Sequence, residues 1–187
     1  MKKVNILKEI NELKNQLAYS KRVGFLLGSG ISVPLGLPTV MELTKLVEDS
    51  IAKDFLAGFK KVKTDIESTY PNESITIEDI LNQLRRIRDI TNNQPDKDYQ
   101  GVSGESAVIL DKAICHSIYH VISEREKVAD LYKTTRFLAW YCSQNRSYSK
   151  EIFTTNYDLI LEKSSTIPLL LPEYLIEPTK WATILPL

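Results

Sequence analysis

The sequence predicts an α/β fold in which a Rossmann-like parallel sheet carries a large helical insertion between two of its strands. Two short runs support this prediction, residues 23–27 and residues 151–155. The first is an unbroken apolar run, and the second is β-branched and aromatic, as expected of buried strands in a parallel sheet. Between them, apolar residues recur at helical spacing, which predicts helices rather than further strands.

An amphipathic helix is predicted before the first strand, over residues 3–20, from the spacing of apolar residues such as Ile6, Ile10 and Leu13 among charged and amide side chains. After the first strand, two N-terminal capping boxes open further helices. Thr39 with Glu42 predicts a helix to about residue 57, and Thr76 with Asp79 predicts one to about residue 90.

The rest of the chain divides by the same signals. Residues 91–105 are polar with one proline and predict a loop, whereas residues 107–123 and 127–145 predict two more helices. The proline-rich residues 164–187 indicate neither a helix nor a strand. The predicted organisation is an N-terminal helix (1–20), a nucleotide-binding domain (21–163) with a helical insertion (40–145), and an irregular tail or truncated remainder (164–187).

Composition excludes several classes of partner. Lysine plus arginine total 24 residues and aspartate plus glutamate also total 24, so no global charge attracts nucleic acid or a membrane surface. The two cysteines, Cys115 and Cys142, are far apart, which fits a reducing, cytoplasmic compartment and argues against a disulfide framework or a metal cluster. We therefore expect a soluble cytoplasmic protein without a metal, a membrane anchor or direct nucleic-acid binding.

The first candidate motif follows the first predicted strand. Gly28, Ser29 and Gly30 are small residues where the backbone turns and can approach a phosphate, with the N–H groups of a following helix facing it. Ser32 would donate to a phosphate oxygen or cap that helix. The alternative is a tight turn without a ligand. Val33 replaces the third glycine of the dehydrogenase fingerprint, and no Walker lysine follows, so neither hydride transfer nor a P-loop is indicated.

The second candidate motif follows the second predicted strand. Thr155, Asn156 and Asp158 stand at its carboxyl end, the edge at which open α/β sheets bind ligands. An asparagine offers a donor and an acceptor together, which suits ribose hydroxyls or a carboxamide. The alternative is structural: Asn156 ends the strand and Asp158 caps the next helix. The segment by itself favours neither interpretation.

Together the two motifs resemble the sirtuin family, and most closely the sirtuin-like NAD-hydrolase domains of bacterial anti-phage defence proteins. The family's first motif is similar to residues 28–32 followed by residues 36–38, and its second is similar to residues 154–158. Deacylases of the family usually have Gln-Asn-Ile-Asp at the middle of the second motif. Residues 78–81 resemble an acidic-apolar segment of the family's helical insertion, and the likeness covers about residues 20–163.

The resemblance implies an NAD glycohydrolase that cleaves the nicotinamide–ribose bond with water during abortive infection. It implies that Asn156 is catalytic beside the nicotinamide ribose and that Asp158 binds on the nicotinamide side. The full set of residues expected to bind NAD is Gly28, Ser29, Gly30, Ser32, Thr155, Asn156 and Asp158. Homo-oligomers and a DNA-translocating ATPase are the partners that the resemblance suggests.

One departure from the family concerns histidine. The catalytic histidine of the family follows the asparagine motif, whereas His116 and His120 both precede it, four residues apart on a predicted helix. They are interpreted as ordinary helix residues. We therefore expect an incomplete sheet, from a truncated or decayed domain, and we keep a non-catalytic module that binds NAD or ADP-ribose, or serves assembly, as the alternative. Deacylation is disfavoured because two cysteines cannot form a four-cysteine zinc site.

Overall fold

The structure, a computed structural model, describes residues 5–19, 23–143, 150–170 and 183–186. The elements, in chain order, are α1 (Ile6–Tyr19), β1 (Gly24–Leu27), two 3-10 turns (Ser29–Ile31 and Val33–Leu35), α2 (Val40–Ser50), α3 (Lys53–Thr69), α4 (Ile77–Thr91), β2 (Asp98–Tyr99), β3 (Val102–Ser103), α5 (Gly104–Val128), α6 (Tyr132–Ser143), β4 (Glu151–Thr154), α7 (Ile160–Leu170) and β5 (Thr183–Pro186). The protein is thus mixed α/β and mostly helical, as the sequence predicts.

The parallel sheet has the strand order β1-β4-β5. β1 pairs with β4 in parallel, with Gly24 opposite Glu151 and Leu27 opposite Thr154. β4 also pairs in parallel with β5. The parallel pairing of the two strands expected from the sequence is therefore confirmed, and the Rossmann-like topology stays a prediction.

The chain divides into two compact units. We call Gly36–Ala129 the helical unit, and the described residues of Met1–Leu35 and Asp130–Leu187 the sheet unit. The predicted insertion, residues 40–145, is longer than the helical unit because α6 belongs with the sheet. The apolar residues of α6 explain this assignment, since Leu138 and Tyr141 lie in the same buried cluster as Ile152 of β4.

The core of the helical unit is organised around α4, which packs against α2, α3 and α5. The apolar residues of α4 recur at helical spacing and, apart from Ile90 near its end, are fully or almost fully buried. The core side chains of this unit include Val47, Phe59, Val62, Ile77, Ile80, Leu84, Ile87 and Ile114. Burial of such side chains is the main favourable term in folding, about 1.5–3 kcal/mol for each one.

The capping boxes at α2 and α4 form as the sequence predicts. Thr39 and Glu42 exchange side-chain to backbone hydrogen bonds at the start of α2, and Thr76 and Asp79 do the same at α4. The helix predicted to residue 57 is instead broken, because Ile51 is extended and α3 begins at Lys53.

The break between α2 and α3 allows side chains of both helices to be buried in the core. Val47 and Phe59 are both fully buried. In one unbroken helix, positions twelve residues apart would differ by about 120° around the axis. The extended residue between α2 and α3 turns the second helix so that both side chains reach the interior.

Other boundaries differ from the sequence-based expectation. The loop predicted over residues 91–105 contains the short β2–β3 hairpin, with Gly101 at a φ of +72°. Helix α5 begins earlier than residue 107, because Ser103 caps it by accepting the N–H of Ser106, and it continues beyond residue 123 to Val128. Helix α7 reaches Leu170 and β5 covers residues 183–186, so these parts of the predicted irregular tail are regular. Packing of α7 against α6 overrides its weak helical pattern. The rest of that tail lies outside the described residues.

The sheet unit buries one face of β1 and β4 against α6 and α7. Its core contains Leu138, Tyr141, Ile152 and Leu161, with Phe25 packed on them. Phe25 meets the ring of Tyr141 edge-on, with the ring centroids 5.0 Å apart. Alternate residues of β1 point to the other face, where Leu26 remains 67% exposed.

A buried tyrosine joins the backbone just before β1 to the first residue of β4. The hydroxyl of Tyr141 donates to the carbonyl oxygen of Val23 and accepts the N–H of Glu151 at 3.1 Å. The side chain itself is fully buried. One phenol therefore satisfies backbone groups of both chain segments where they enter the sheet, which fixes their register from the amino-terminal side.

Candidate functional site

The two sequence motifs meet at one edge of the parallel sheet. The N–H of Thr155 donates to the carbonyl oxygen of Leu27 at 3.3 Å, extending the β1–β4 pairing by one residue. Beyond it, the side-chain nitrogen Nδ2 of Asn156 donates to the carbonyl oxygen of Gly28 at 3.2 Å. Nδ2 also donates to Oγ of Ser32 at 2.9 Å. The expectation that both motifs lie side by side at the carboxyl ends of adjacent parallel strands is confirmed.

The backbone after β1 folds differently from the expectation. Gly28 is extended, and the N–H groups of Ile31 and Ser32 bond back to the carbonyl oxygens of Gly28 and Ser29. Two short 3-10 turns result, and the first α-helix begins only at Val40. The helix that follows the first motif therefore begins at its Thr39 cap and is not capped by Ser32, because these local backbone bonds and Pro34 favour tight turns over a continuous helix.

The glycines of the first motif are not required by the packing of the fold. A Cβ added to Gly30 would meet no atom within 4 Å, and one added to Gly28 would meet only Oγ1 of Thr155 at 3.9 Å. Both residues are exposed. Gly36 differs, since its φ of +92° is one that side-chain-bearing residues rarely adopt. The space beside Gly28 and Gly30 is therefore open to a ligand.

Asn156 is held from both sides of the site. Its backbone N–H donates to Oγ1 of Thr154 at 3.1 Å, which turns the chain away from β4. The carbonyl oxygen of Gly28 can only accept, so it identifies the amide atom facing it as Nδ2. With both Nδ2 hydrogens used by Gly28 and Ser32, the remaining hydrogen-bonding capacity of the side chain is the acceptor Oδ1.

Ser32 joins the two motifs. It is only 2% exposed, and its hydroxyl accepts from Asn156. The sequence left its role open between a phosphate contact and a helix cap. The structure assigns the hydroxyl to a third role, the orientation of Asn156, which no spacing in the sequence indicated because the two residues are 124 positions apart.

Asp158 stabilises the start of a helix. It is 8% exposed, and its Oδ1 accepts the N–H of Ile160, the first residue of α7, at 3.1 Å. This bond agrees with the capping interpretation of Asp158, and its contact with the nicotinamide side of NAD stays a prediction. Its neighbour Tyr157 is 61% exposed, and Thr155 is exposed as well, so the polar surface at this edge comes from Thr155, Asn156 and Tyr157.

The remaining reactive side chains lie elsewhere in the chain. His116 and His120 are exposed residues of α5, in the helical unit. Burial raises the pKa of both the Cys115 and the Cys142 thiols, so each is neutral near pH 7. Within the described ranges, no three His, Cys, Asp or Glu side chains group closely enough to hold a metal ion.

Two contacts of the site were missed by reasoning from the sequence. Thr154 stands inside the second motif, but its hydroxyl shapes the turn rather than facing a ligand. Tyr141, which pairs the strand starts, lies on a helix where only its apolar character was visible in the sequence. The only signal in the sequence for the role of Tyr141 was a hydroxyl on an apolar position of a predicted helix.

No protein-family model matches the chain, and no curated protein sequence matches it. In the part of the chain that the structure describes, no helix is both long and apolar enough to cross a membrane. The geometry of the two motifs is therefore the basis for inferring a function.

Proposed function

We propose that the chain binds NAD at the shared edge of β1 and β4 and belongs with enzymes that hydrolyse its nicotinamide–ribose bond. The observation that carries this proposal is the bond from Asn156 to Gly28, which joins motifs 128 positions apart at the carboxyl ends of adjacent parallel strands. Ligands of open α/β sheets bind at this edge. The resemblance of the two motifs to those of sirtuin-like NAD hydrolases also implies a Rossmann-like NAD site at this edge.

The phosphates of NAD are assigned to the first motif. Gly28, Ser29 and Gly30 are exposed, and the open space beside the two glycines lets a phosphate approach the backbone. Ser32 is buried and contributes indirectly through Asn156. Thr155 adds an exposed hydroxyl at the same edge.

The chemistry assigned to Asn156 is electrostatic. As the bond between the ribose C1′ and the nicotinamide nitrogen breaks, its electron pair leaves with nicotinamide and positive charge develops on the ribose. The Oδ1 atom of Asn156, fixed by the two bonds of Nδ2, presents a partial negative charge that stabilises this transition state. A water oxygen then bonds to C1′ and releases a proton to solvent, which leaves ADP-ribose and nicotinamide as products.

A second candidate is binding of NAD or ADP-ribose without turnover. The carboxylate of Asp158 is buried and already bonded to Ile160, and both histidines precede the asparagine motif in the sequence, on α5. Among the described residues of the two motifs, none supplies a histidine as general base. Loss of a general acid or base typically costs about 10² to 10⁴ in rate. In either case the proposed setting is NAD depletion or NAD sensing in anti-phage defence, with a second copy or a DNA-translocating ATPase as partner.

Titration calorimetry with NAD and with ADP-ribose tests the binding site. Gly30→Val is expected to weaken binding at least tenfold, because its branched side chain fills the open space, while the free energy of unfolding stays within about 0.5 kcal/mol of the wild type. The matched control is Gly24→Ala in β1, whose Cβ would meet only ordinary contacts with Glu151. Equal affinity in the wild type and Gly30→Val removes the phosphate assignment.

Nicotinamide release separates the two candidate functions. Asn156→Ala is expected to lower turnover by about 10² to 10³, as for other oriented polar groups at a developing charge. It also loses the bonds to Gly28 and Ser32, which costs about 1 kcal/mol of stability. Asn82→Ala, at an exposed position of α4, is the control. Binding of NAD without any nicotinamide release from the wild-type chain favours the second candidate.

A further inference from the structure

Helix α5 carries both histidines of the chain on one exposed face. His116 and His120 are the only two histidines in the sequence, and both side chains are exposed. They are four residues apart in the middle of an unbroken helix, Gly104–Val128. Residues at this spacing lie one above the other, with about 5–6 Å between their Cβ atoms. The two imidazoles are therefore close enough to bind one ion together.

The backbone that positions the two rings is anchored in the core of the helical unit. On the opposite side of the same turns of α5, Ile114 is fully buried and Ile122 is 8% exposed. The pair thus stands on a regular element, and no chain segment has to become ordered when an ion binds. Among the described residues, neither imidazole makes a hydrogen bond or an ion pair, so a nitrogen of each ring is available.

Charged residues lie on the neighbouring turns of the same face. Side chains of a helix lean toward its amino terminus. Glu124, one turn after His120, therefore leans toward the pair, and it lies close enough to His120 for their charges to interact. Lys112, one turn before His116, leans away from the pair. The carboxylate of Glu124 also bonds to Lys127, so we count only the two imidazoles as ligands.

We propose that His116 and His120 form an open binding site for a divalent transition-metal ion such as Zn²⁺. Histidine is the commonest metal ligand in proteins, and zinc-binding helices use two histidines at this spacing on one face. Mg²⁺ and Ca²⁺ prefer oxygen ligands and are not expected to bind here. Water completes the coordination, because within the described ranges no third His, Cys, Asp or Glu side chain joins the pair.

A site with two protein ligands differs from a structural zinc site, in which four ligands enclose the metal. The absence of a cysteine cluster excludes such a closed site but does not exclude an open one. An ion held by two turns of α5 binds the folded chain and therefore stabilises it by mass action. The two ligands belong to the helical unit, and the proposal is independent of NAD binding.

Titration calorimetry of the untagged full chain with ZnCl₂ tests the site. The chain carries Cys115→Ser and Cys142→Ser, so that its thiols do not bind the ion. One ion per chain is expected. His116→Gln and His120→Gln should each weaken binding by more than about tenfold, since even the loss of a group that only orients a metal ligand costs about 10- to 100-fold. Absence of binding in the parent chain, or unchanged affinity in either variant, overturns the proposal.

A double variant tests the spacing of the histidines rather than their number. Lys112→His combined with His116→Gln keeps two histidines at exposed positions of α5 but places them eight residues apart, about 12 Å along the helix axis. One ion cannot bridge that distance, so this variant should bind as weakly as His116→Gln alone. Removal of the lysine charge favours a cation, so charge cannot explain the loss. Parental affinity in the double variant contradicts the shared site.

Thermal melting of the same chains gives a second readout. Zn²⁺ at about 100 times its Kd should raise the Tm of the parent chain by about 5 °C or more, whereas the same concentration of Mg²⁺ should leave it unchanged. Melts without metal check that each variant is folded, as expected for substitutions at exposed positions. A shift with Zn²⁺ that persists in His120→Gln would show that the ion binds elsewhere.

Discussion

The contacts that stabilise the inside of the helical unit differ in kind from those that stabilise the inside of the sheet unit. In the helical unit, apolar residues such as Ile80, Leu84 and Ile87 repeat along α4 and face α2, α3 and α5. In the sheet unit, strands of four residues pair through hydrogen bonds, and Tyr141 and Asn156 join segments over 100 residues apart in the chain.

The regular apolar core of the helical unit favours stability, whereas the polar side chains of the sheet unit lie where we propose that a ligand binds. The helical unit has both capping boxes and a core that follows local sequence periodicity. The sheet unit buries polar side chains, including Ser32, Thr154 and Asp158, at the edge proposed to bind NAD. Polar groups placed for a ligand contribute less to stability than apolar ones in a regular core, so substitutions in the two units should have different signatures.

The largest effect on stability is expected at Gly104 in the helical unit. A Cβ there would lie 2.4 Å from Oγ1 of Thr91 and 2.7 Å from backbone atoms of Asn93 and Gln94. Because backbone atoms cannot move aside cheaply, Gly104→Ala should cost about 3 kcal/mol in urea unfolding. Gly58→Ala is the control, since its Cβ would touch only Leu110 at 3.4 Å and should stabilise α3 by about 0.5–1 kcal/mol. Similar stabilities for the two variants would show that α5 does not begin against this turn.

A smaller loss is expected at Tyr141 in the sheet unit. Tyr141→Phe keeps the ring but removes the hydroxyl that bonds Val23 and Glu151. The unmatched backbone groups should lower the free energy of unfolding by about 2 kcal/mol, measured by urea titration. Tyr132→Phe, at a 63% exposed position of α6, should change it by less than about 0.5 kcal/mol. A Tyr141→Phe variant as stable as the Tyr132→Phe variant would disprove the bridging role of the hydroxyl.

The smallest effect is a pH dependence from the capping box of α2. The backbone N–H and the hydroxyl of Thr39 donate to the carboxylate of Glu42 and lower its pKa in the folded chain. A lowered folded pKa stabilises the protein above the ordinary pKa of glutamate, about 4.3, and this contribution is lost as pH falls through the folded pKa. Thermal melts at decreasing pH should therefore show a smaller acid-induced loss of stability in Glu42→Gln than in the wild type. Glu67→Gln, on the exposed face of α3, removes a carboxylate without touching a capping box and is the control.

Sequence reasoning succeeded where the signal was local. Thr39 with Glu42 and Thr76 with Asp79 predicted both capping boxes, since the partners are three residues apart. The two strands and their parallel pairing also followed from short apolar runs. The capping boxes and the strands themselves depend on side chains within one turn or one strand.

The remaining features depend on distant parts of the chain. The break at Ile51 reflects the demand of the shared core, and the helical character of residues 164–170 reflects packing of α7 on α6. The bond between Ser32 and Asn156 requires the β1–β4 register before either role can be assigned. Motif residues were found in the sequence, but the distinction between a ligand contact, a cap and an orienting partner was not.

The long separation of β1 and β4 has a consequence for how the chain folds. The hydrogen bond from Asn156 to Gly28 closes a loop of 128 positions, whereas the helices of the helical unit connect through short segments. Closing a loop of this length has a larger entropic cost than forming a local contact. Contacts between such distant residues therefore form more slowly than local ones. During synthesis β1 leaves the ribosome well before β4 is translated. Its apolar residues Phe25, Leu26 and Leu27 are therefore unpaired by β4 while the helical unit can already form its core. We therefore expect the edge proposed to bind NAD to be the last part of the molecule to form. Pulsed amide hydrogen exchange during refolding should show protection of α4 before β1.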